Sequence, residues 1–473
     1  MQAKSQPLYA RPLSTLPFIL LGAVLIVLCA RGDFWLDEIW SFEWATQSVA
    51  WWEILTIRHD NNHPLNTFWL WLTGPLAPPL AGRALSMVCG IGSLVLMDRI
   101  AARFDPAARI PAVCLAAFSF PLVLYFSEAR GYGPAVFFSL ACALILLHAP
   151  TRPRFIIAFT ACSTLGILAH ANFLFAFAGL GTWYLFNQIR TSPGLALAVQ
   201  RTALLFVPAL IPLAAFYFLF LTRLVSYGPD YSIPFMVAQT LGFALGLPAS
   251  EPLVPLTLFL SALVLMAAFA AGFGAPVPGS PRVLALAMIV VVPLLTYPVA
   301  LRSVSGFRFY PRSYLVCVPF LYLLLALAIA PLFRSPKPAL RALAVFLLCL
   351  SVAGHARRLA SLVTHGRGGY SQALASIAAA SPNGAAIGSD HDFRNRMLFN
   401  FFQHRDPRLA RLRYVANQDW PLDSPDWFIL HVLTPEGGRP NPRIGVDGQV
   451  YEYWAHYTFT ALSGWHWFIY RRR

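Results

Sequence analysis

Charge is scarce in this sequence. Only 12% of its 473 residues are Asp, Glu, Lys or Arg, about half the roughly 25% of a soluble domain. Lysine is nearly missing: Lys4 and Lys337 are its two occurrences, so the net charge of +15 rests on arginine. That arginine is scattered between apolar runs rather than gathered in one stripe, which argues against nucleic-acid binding. The seven cysteines (Cys29, Cys89, Cys114, Cys142, Cys162, Cys317 and Cys349) lie in or beside apolar segments, and the C-terminal quarter has none. No metal-ligand spacing and no disulfide framework follows. An evident internal repeat is missing too, which counts against inverted-repeat transporters.

What fills the chain instead is apolar: 58% of residues are hydrophobic. Runs such as Leu16–Ala30, Ile156–Leu168, Leu204–Leu221 and Leu315–Leu332 belong to stretches long enough to cross a bilayer, for which about 18 residues suffice. The first run has basic flanks like a signal peptide. It lacks a small-residue cleavage site and more spans follow, so it is expected to remain as the first helix.

Basic connections face the cytoplasm in multi-pass proteins. Placing Lys4, Arg11, Arg99–Arg109, Arg152–Arg154, Arg190–Arg201, Arg282 and Arg334–Arg341 inside predicts eleven spans, with the N-terminus inside and the C-terminus outside. Outside then fall residues 31–82, 127–131, 170–172, 224–251, 302–312 and everything from about 355. Residues 64–80 look like a span at first sight. They are short, proline-broken and carry Trp69 and Trp71, so a helix lying in the outer interface is expected.

The first outside loop holds seven of the thirteen tryptophans and an acidic cluster. Its pattern predicts one or two juxtamembrane amphipathic helices. The Pro/Gly-rich stretch 224–251 reads equally as a flap over a lipid site or as a plain connecting loop. The tail is polar and shows strand-like runs, WFILHV and GWHWFIY, a helical GGYSQALASIAAAS, and AAIGSD as strand and turn. The fold expected is an α-helical polytopic membrane protein, residues 1–354, followed by a small soluble α/β domain, 355–473.

Four polar clusters fall on the same expected side: Asp37-Glu38; His59 to His63, with Asn62; Glu128 to Tyr132, with Arg130; and Arg302, Arg308 and Arg312. Ionisable groups near hydrocarbon are costly and need a partner or a task. External arginines suit a phosphate, which Arg grips bidentately. A carboxylate suits deprotonation of an acceptor hydroxyl. Together they describe glycosyl transfer from a lipid phosphate. Each residue also has a plainer use. Asp37-Glu38 can cap the following helix, Arg130 can pair with Glu128, Arg83 can snorkel, and His170 can simply end a helix. Asp390 and Asp392, in GSDHDF, have metal-ligand character but suit a turn better.

The order of these motifs resembles the GT-C membrane glycosyltransferases that use polyprenyl-phosphate sugars, among them the protein mannosyltransferases and the lipid A aminoarabinose transferases. Asp37-Glu38 matches the acidic pair after the first span. His63-Pro64 partly matches a His-Pro-Pro-Leu motif, from which Leu65 and Asn66 depart. Arg83, Ala129–Tyr132, Gly166 with His170, and FRFYPRSYLVCVP follow in order over roughly the first 330 residues. The resemblance implies Asp37 as catalytic base and Glu38 as its orienter or an acceptor ligand. It puts Arg130, Arg308 and Arg312 on the lipid phosphate, and His63, Glu128 and Asn62 along the cavity. It implies a single inverting displacement on the periplasmic face of a bacterial inner membrane. The donor would be a polyprenyl-phosphate sugar, and the acceptor a glycolipid, polysaccharide or protein. No cofactor is certain from it, and a divalent metal is left open. An O-antigen ligase or polysaccharide polymerase, and a transporter or flippase of lipid-linked sugars, are the rival readings.

Overall fold

The computed structural model describes residues 13–148, 152–223, 231–270, 280–302, 310–433 and 438–473. The chain divides into two compact units. The first comprises residues 1–27, 48–69 and 83–357, and the second residues 28–47, 70–82 and 358–473.

The first unit is helical. Each of the eleven expected spans falls on a helix or on one bent pair of helices. Among the described residues, five helices are long and apolar enough to cross a membrane, or six if the bent pair is one span. Leu195–Leu219 and Pro79–Phe104 are two of them, at 25 and 26 residues. Such helices reach about 37 Å or more at 1.5 Å per residue, against a hydrocarbon core of about 30 Å.

The bent pair turns by 65° between Pro106–Ala117 and Phe120–Phe126. Pro121 removes a backbone donor and blocks a continuous helix. Ser119 caps the second half by accepting the Leu122 N–H at 3.4 Å. The polar groups released by the break are re-satisfied, as an apolar surround demands. The Phe120 N–H donates to His355 Nδ1 at 3.4 Å, and the Tyr322 hydroxyl lies 2.7 Å from Ser119 Oγ and 2.6 Å from the Ala244 carbonyl. At the end of the bundle expected inside, Arg109 grips Asp98 through two bonds of 2.8 and 2.9 Å, both side chains being buried.

Two expectations meet the structure differently. Residues 64–80 hold the helix Pro64–Thr73, ten residues long, and the first two residues of Pro79–Phe104; Pro64–Thr73 spans about 15 Å and is too short to cross alone. The stretch read as flap or loop contains a helix, Ile233–Leu245. Ser232 caps it, Pro234 sits in its first turn where a missing N–H costs nothing, and Gly246 ends it at a φ of 71°.

The second unit is built on a six-stranded sheet: β1 (Ala385–Ser389), β2 (Leu412–Tyr414), β3 (Trp427–Val432), β4 (Arg443–Val446), β5 (Gln449–Tyr457) and β6 (His466–Arg472). Their order across the sheet is β2-β1-β3-β6-β5-β4. The first three are parallel; β6, β5 and β4 add antiparallel. Tyr370–Ala380 and Asp392–Arg405 are its helices. The Trp467 indole donates to Asn395 Oδ1 at 2.8 Å, tying the sheet to the second of them. The alternate residues Phe428, Phe468, Tyr470 and Tyr451 form a separate core with Ala386, Val415 and Trp420. All four tail segments read from sequence fall on the expected element type.

The helix Leu36–Gln47 belongs to this second unit. Phe34 and Phe42 pack edge to face at 4.7 Å, and the Arg405 guanidinium lies 4.1 Å from the Phe401 ring and 5.0 Å from that of Phe42.

Candidate active site

In the first unit, the turn ending at His63 is held by its own amides. The buried Asn62 donates to the carbonyls of Ile54 at 2.9 Å and Ile57 at 3.3 Å, and its Oδ1 accepts from the Thr67 hydroxyl at 2.9 Å. Asn62 therefore fastens the turn to the helix Pro64–Thr73. Asn66, one of the two positions departing from the His-Pro-Pro-Leu motif, donates from Nδ2 to the Ala129 carbonyl at 2.8 Å. The Ser86 hydroxyl donates to the Arg130 carbonyl at 2.8 Å. Both bonds lock the Glu128–Tyr132 turn against its neighbours.

That turn needs its glycine. A Cβ on Gly131 would stand 1.6 Å from the Ala169 carbonyl oxygen. The close approach lets the Gly131 N–H donate to His63 Nδ1 at 3.1 Å. An acceptor at Nδ1 fixes the neutral tautomer with its proton on Nε2. His170 caps the helix Pro153–Ala169 and has the same arrangement, its Nδ1 accepting from the Asn172 N–H at 3.0 Å. Gly166 gives the preceding turn its fit, because a Cβ there would meet the Phe173 ring at 2.4 Å.

Four rings then gather. His63 and His170 lie 4.6 Å apart, Tyr132 is 4.3 Å from His170, and Tyr125 is 4.9 Å from Tyr132. The Arg130 guanidinium sits 4.9 Å from the Tyr132 ring centre and also bonds Asn61 Oδ1. Arg130 is only 2% exposed and Glu128 is fully buried. Arg312 stacks on Tyr310 at 4.3 Å, at the start of the turn Pro311–Cys317.

Burial holds the imidazoles of His63 and His170 well below the usual histidine pKa. The charges of Arg130 and Arg312 push both further the same way, and for His63 the neighbouring His170 adds to it. Both rings are neutral donors in a positive field. Beside them is a small pocket lined by Asp60, Asn62, His63, His170, Phe216 and Phe220, with Pro64, Ile167 and Ala171.

The structure thus brings together Asn62, His63, Glu128 and Arg130, with Arg312 electrostatically coupled to the histidines. His170, which sequence alone leaves as a helix end, joins them. Phe216 and Phe220 had no sequence signal, being two apolar residues in an apolar span. Arg308 lies outside the described residues. Asp37 and Glu38 lie in the first turn of Leu36–Gln47 in the second unit. Glu38 is buried, and its Oε2 accepts the Trp35 N–H at 3.2 Å, the side-chain half of an N-terminal capping box. Asp37 is half-buried. The tail acids form a turn network: Asp390 Oδ2 lies 2.8 Å from His431 Nδ1, and Asp392 accepts from the Tyr414 hydroxyl at 2.9 Å and the Asn417 N–H at 2.8 Å. Among the described residues, no group of three or more His, Cys, Asp or Glu is placed to hold a metal ion.

No protein-family model matches the chain, and no curated protein does. Among solved structures, the chain is similar to ArnT from Cupriavidus metallidurans bound to undecaprenyl phosphate. The match has a TM-score of 0.46 and 13% identity, over 96% of this chain and 97% of that one. Apo ArnT from the same organism gives 0.46 and 14%, over 88% and 92%. The Archaeoglobus fulgidus oligosaccharyltransferase, tethered to an acceptor peptide containing the NVT sequon, gives 0.42 and 11%, over 86% of this chain and 64% of that one.

Proposed function

We propose that this chain is an inverting membrane glycosyltransferase. It moves a sugar from a polyprenyl-phosphate carrier to an acceptor on the periplasmic face of a bacterial inner membrane. The observation that carries the proposal is Arg130: a 2% exposed guanidinium beside Asn61 and Tyr132, within a turn built around it. A guanidinium held in that way presents the planar fork that grips a phosphate bidentately. The ordered series of sequence motifs supports the same reading.

In this mechanism Asp37 takes the proton of the acceptor hydroxyl. The hydroxyl oxygen attacks the anomeric carbon as the bond from that carbon to the phosphate oxygen breaks. One displacement inverts the anomeric centre, and the carrier leaves as a phosphate monoester with one more negative charge. Arg130 and Arg312, with Arg308, bind that growing charge, so they stabilise the transition state more than the ground state. Glu38 holds the helix start that presents Asp37.

The test is sugar transfer by the full chain in lipid nanodiscs, supplied with undecaprenyl-phosphate-glucose and an envelope lipid extract as acceptor. Asp37→Asn is expected to lower the rate by about 10²–10⁴-fold, the usual weight of a general base. Arg130→Gln is expected to cost about 10²–10³-fold. Wild-type transfer that both variants retain in full would overturn the assignment.

A further inference from the structure

Two imidazoles meet at one small cavity. His63 is 2% exposed, and its Nδ1 is taken by the Gly131 N–H at 3.1 Å, so its proton sits on Nε2. Among the described residues, no protein group accepts from that Nε2. His170 is arranged alike: its Nδ1 accepts from the Asn172 N–H at 3.0 Å, which leaves a second Nε2–H. The two rings lie 4.6 Å apart, and both line the cavity with Asp60 and Asn62. The Asn62 amide is already committed to Ile54, Ile57 and Thr67. Phe216 and Phe220 add an apolar wall. The cavity measures about 20 Å³. One water needs about 10–15 Å³ of such space and about two to four polar partners.

We infer that this cavity is a binding site for a single water molecule that joins His63 to His170. The water oxygen accepts from both Nε2–H groups, and a water proton is donated to the Asp60 carboxylate, which can accept from several donors at once. Buried polar groups are paired with few exceptions, and ordered water is the usual partner where the protein supplies none. The lining calls for an occupant that both accepts and donates. A cation would face two N–H groups, and an anion would face Asp60. Through the water, three connections become one unit: residues 59–63 by His63, 128–132 by the Gly131 N–H on the same ring, and 170–172 by His170. Both histidines then spend their free donors on the water and hold the turn that carries Arg130. The water is present or not with no lipid bound, so the inference does not depend on the transferase reaction.

The experiment is electron cryomicroscopy of the full chain in nanodiscs, without carrier lipid, at a resolution that shows ordered water. Samples are prepared in chloride and in gluconate buffer. A single peak is expected at about 2.7–3.2 Å from both Nε2 atoms, in both buffers. A peak seen only in chloride would assign the site to a halide and overturn the inference. No peak, or a peak touching one imidazole alone, would do the same. Nitrogen-15 histidine NMR of the same nanodiscs reads the bridge from its other end. The side chain in His63→Asn can still accept from the Gly131 N–H but withdraws the Nε2 donor. The His170 Nε2–H signal is expected to shift in that variant, and an unshifted signal in a folded His63→Asn protein would break the bridge. If that variant fails to fold, the wild-type density decides alone. Loss of the transferase proposal would leave the water in place, and loss of the water would leave the transferase proposal standing.

Discussion

At the scale of single residues, Gly131 and the two histidines are the most exacting positions. Gly131 has no room for a side chain, since a Cβ would overlap a backbone carbonyl that cannot swing aside. Gly131→Ala is expected to cost at least about 3 kcal/mol, at the upper end for overpacking. Gly194, whose added Cβ would meet nothing within 4 Å, is the control. Fluorescence-detected size exclusion of both alanine variants checks this: Gly194→Ala should elute like wild type and Gly131→Ala should be depleted. Equal recovery would show that the turn gives way. His63 and His170 predict acid sensitivity. Their folded pKa values lie below the ordinary value near 6.5, so the folded state binds fewer protons than the unfolded one. Their stabilising share is complete above that value and is lost as pH falls below it. Thermal unfolding in nanodiscs should show Tm falling from about pH 7 to about pH 5, and His63→Gln with His170→Gln should flatten that slope. A slope unchanged in the double variant would remove the histidines as its cause.

Elements carry the next level of constraint, clearest at the bent helix pair. The break leaves polar groups in an apolar surround, and Tyr322 ties one of them, Ser119 Oγ, to the Ala244 carbonyl of the helix Ile233–Leu245. Tyr322→Phe keeps the ring and removes the hydroxyl, leaving Ser119 Oγ and the Ala244 carbonyl short of a partner. The expected loss is about 1–3 kcal/mol, read as a lower Tm than that of a conservative Tyr217→Phe change at an exposed site. An unchanged Tm would mean that other groups satisfy the break. Elements also divide what sequence reading reaches from what it misses. The long spans and tail strands were legible because apolar period and strand-type residues act locally. The helix Ile233–Leu245 was not, because proline and glycine mark both loops and helix ends. Only the Ser232 cap with Pro234 in the first turn, and the left-handed Gly246, separate the two. Of the site, the motif residues Asn62, His63, Glu128 and Arg130 were legible in chain order. Phe216 and Phe220 were not, since meeting His63 depends on packing between helices far apart in sequence.

At the scale of the whole molecule, topology decides whether the proposed chemistry is available at all. Asp37, His63, Arg130, His170 and Arg312 can serve one reaction only if the connections bearing them face the same side of the membrane. Positive-inside counting puts all five outside, but it depends on leaving Pro64–Thr73 uncrossed. If that helix were joined to more chain and crossed, Arg99–Arg109 would move outside and Arg130 inside, while Asp37 stayed outside. The ten-residue length of the helix disfavours crossing by about half a bilayer. Reporter fusions in a bacterial host test the arrangement. Alkaline phosphatase, active only outside the cytoplasm, should be active after Arg473 and after Gly74, and inactive after Ala108. A cytoplasmically folding fluorescent protein should give the reverse pattern. Activity of the phosphatase after Ala108 would separate Asp37 from Arg130 by the thickness of the membrane and end the case for a shared reaction.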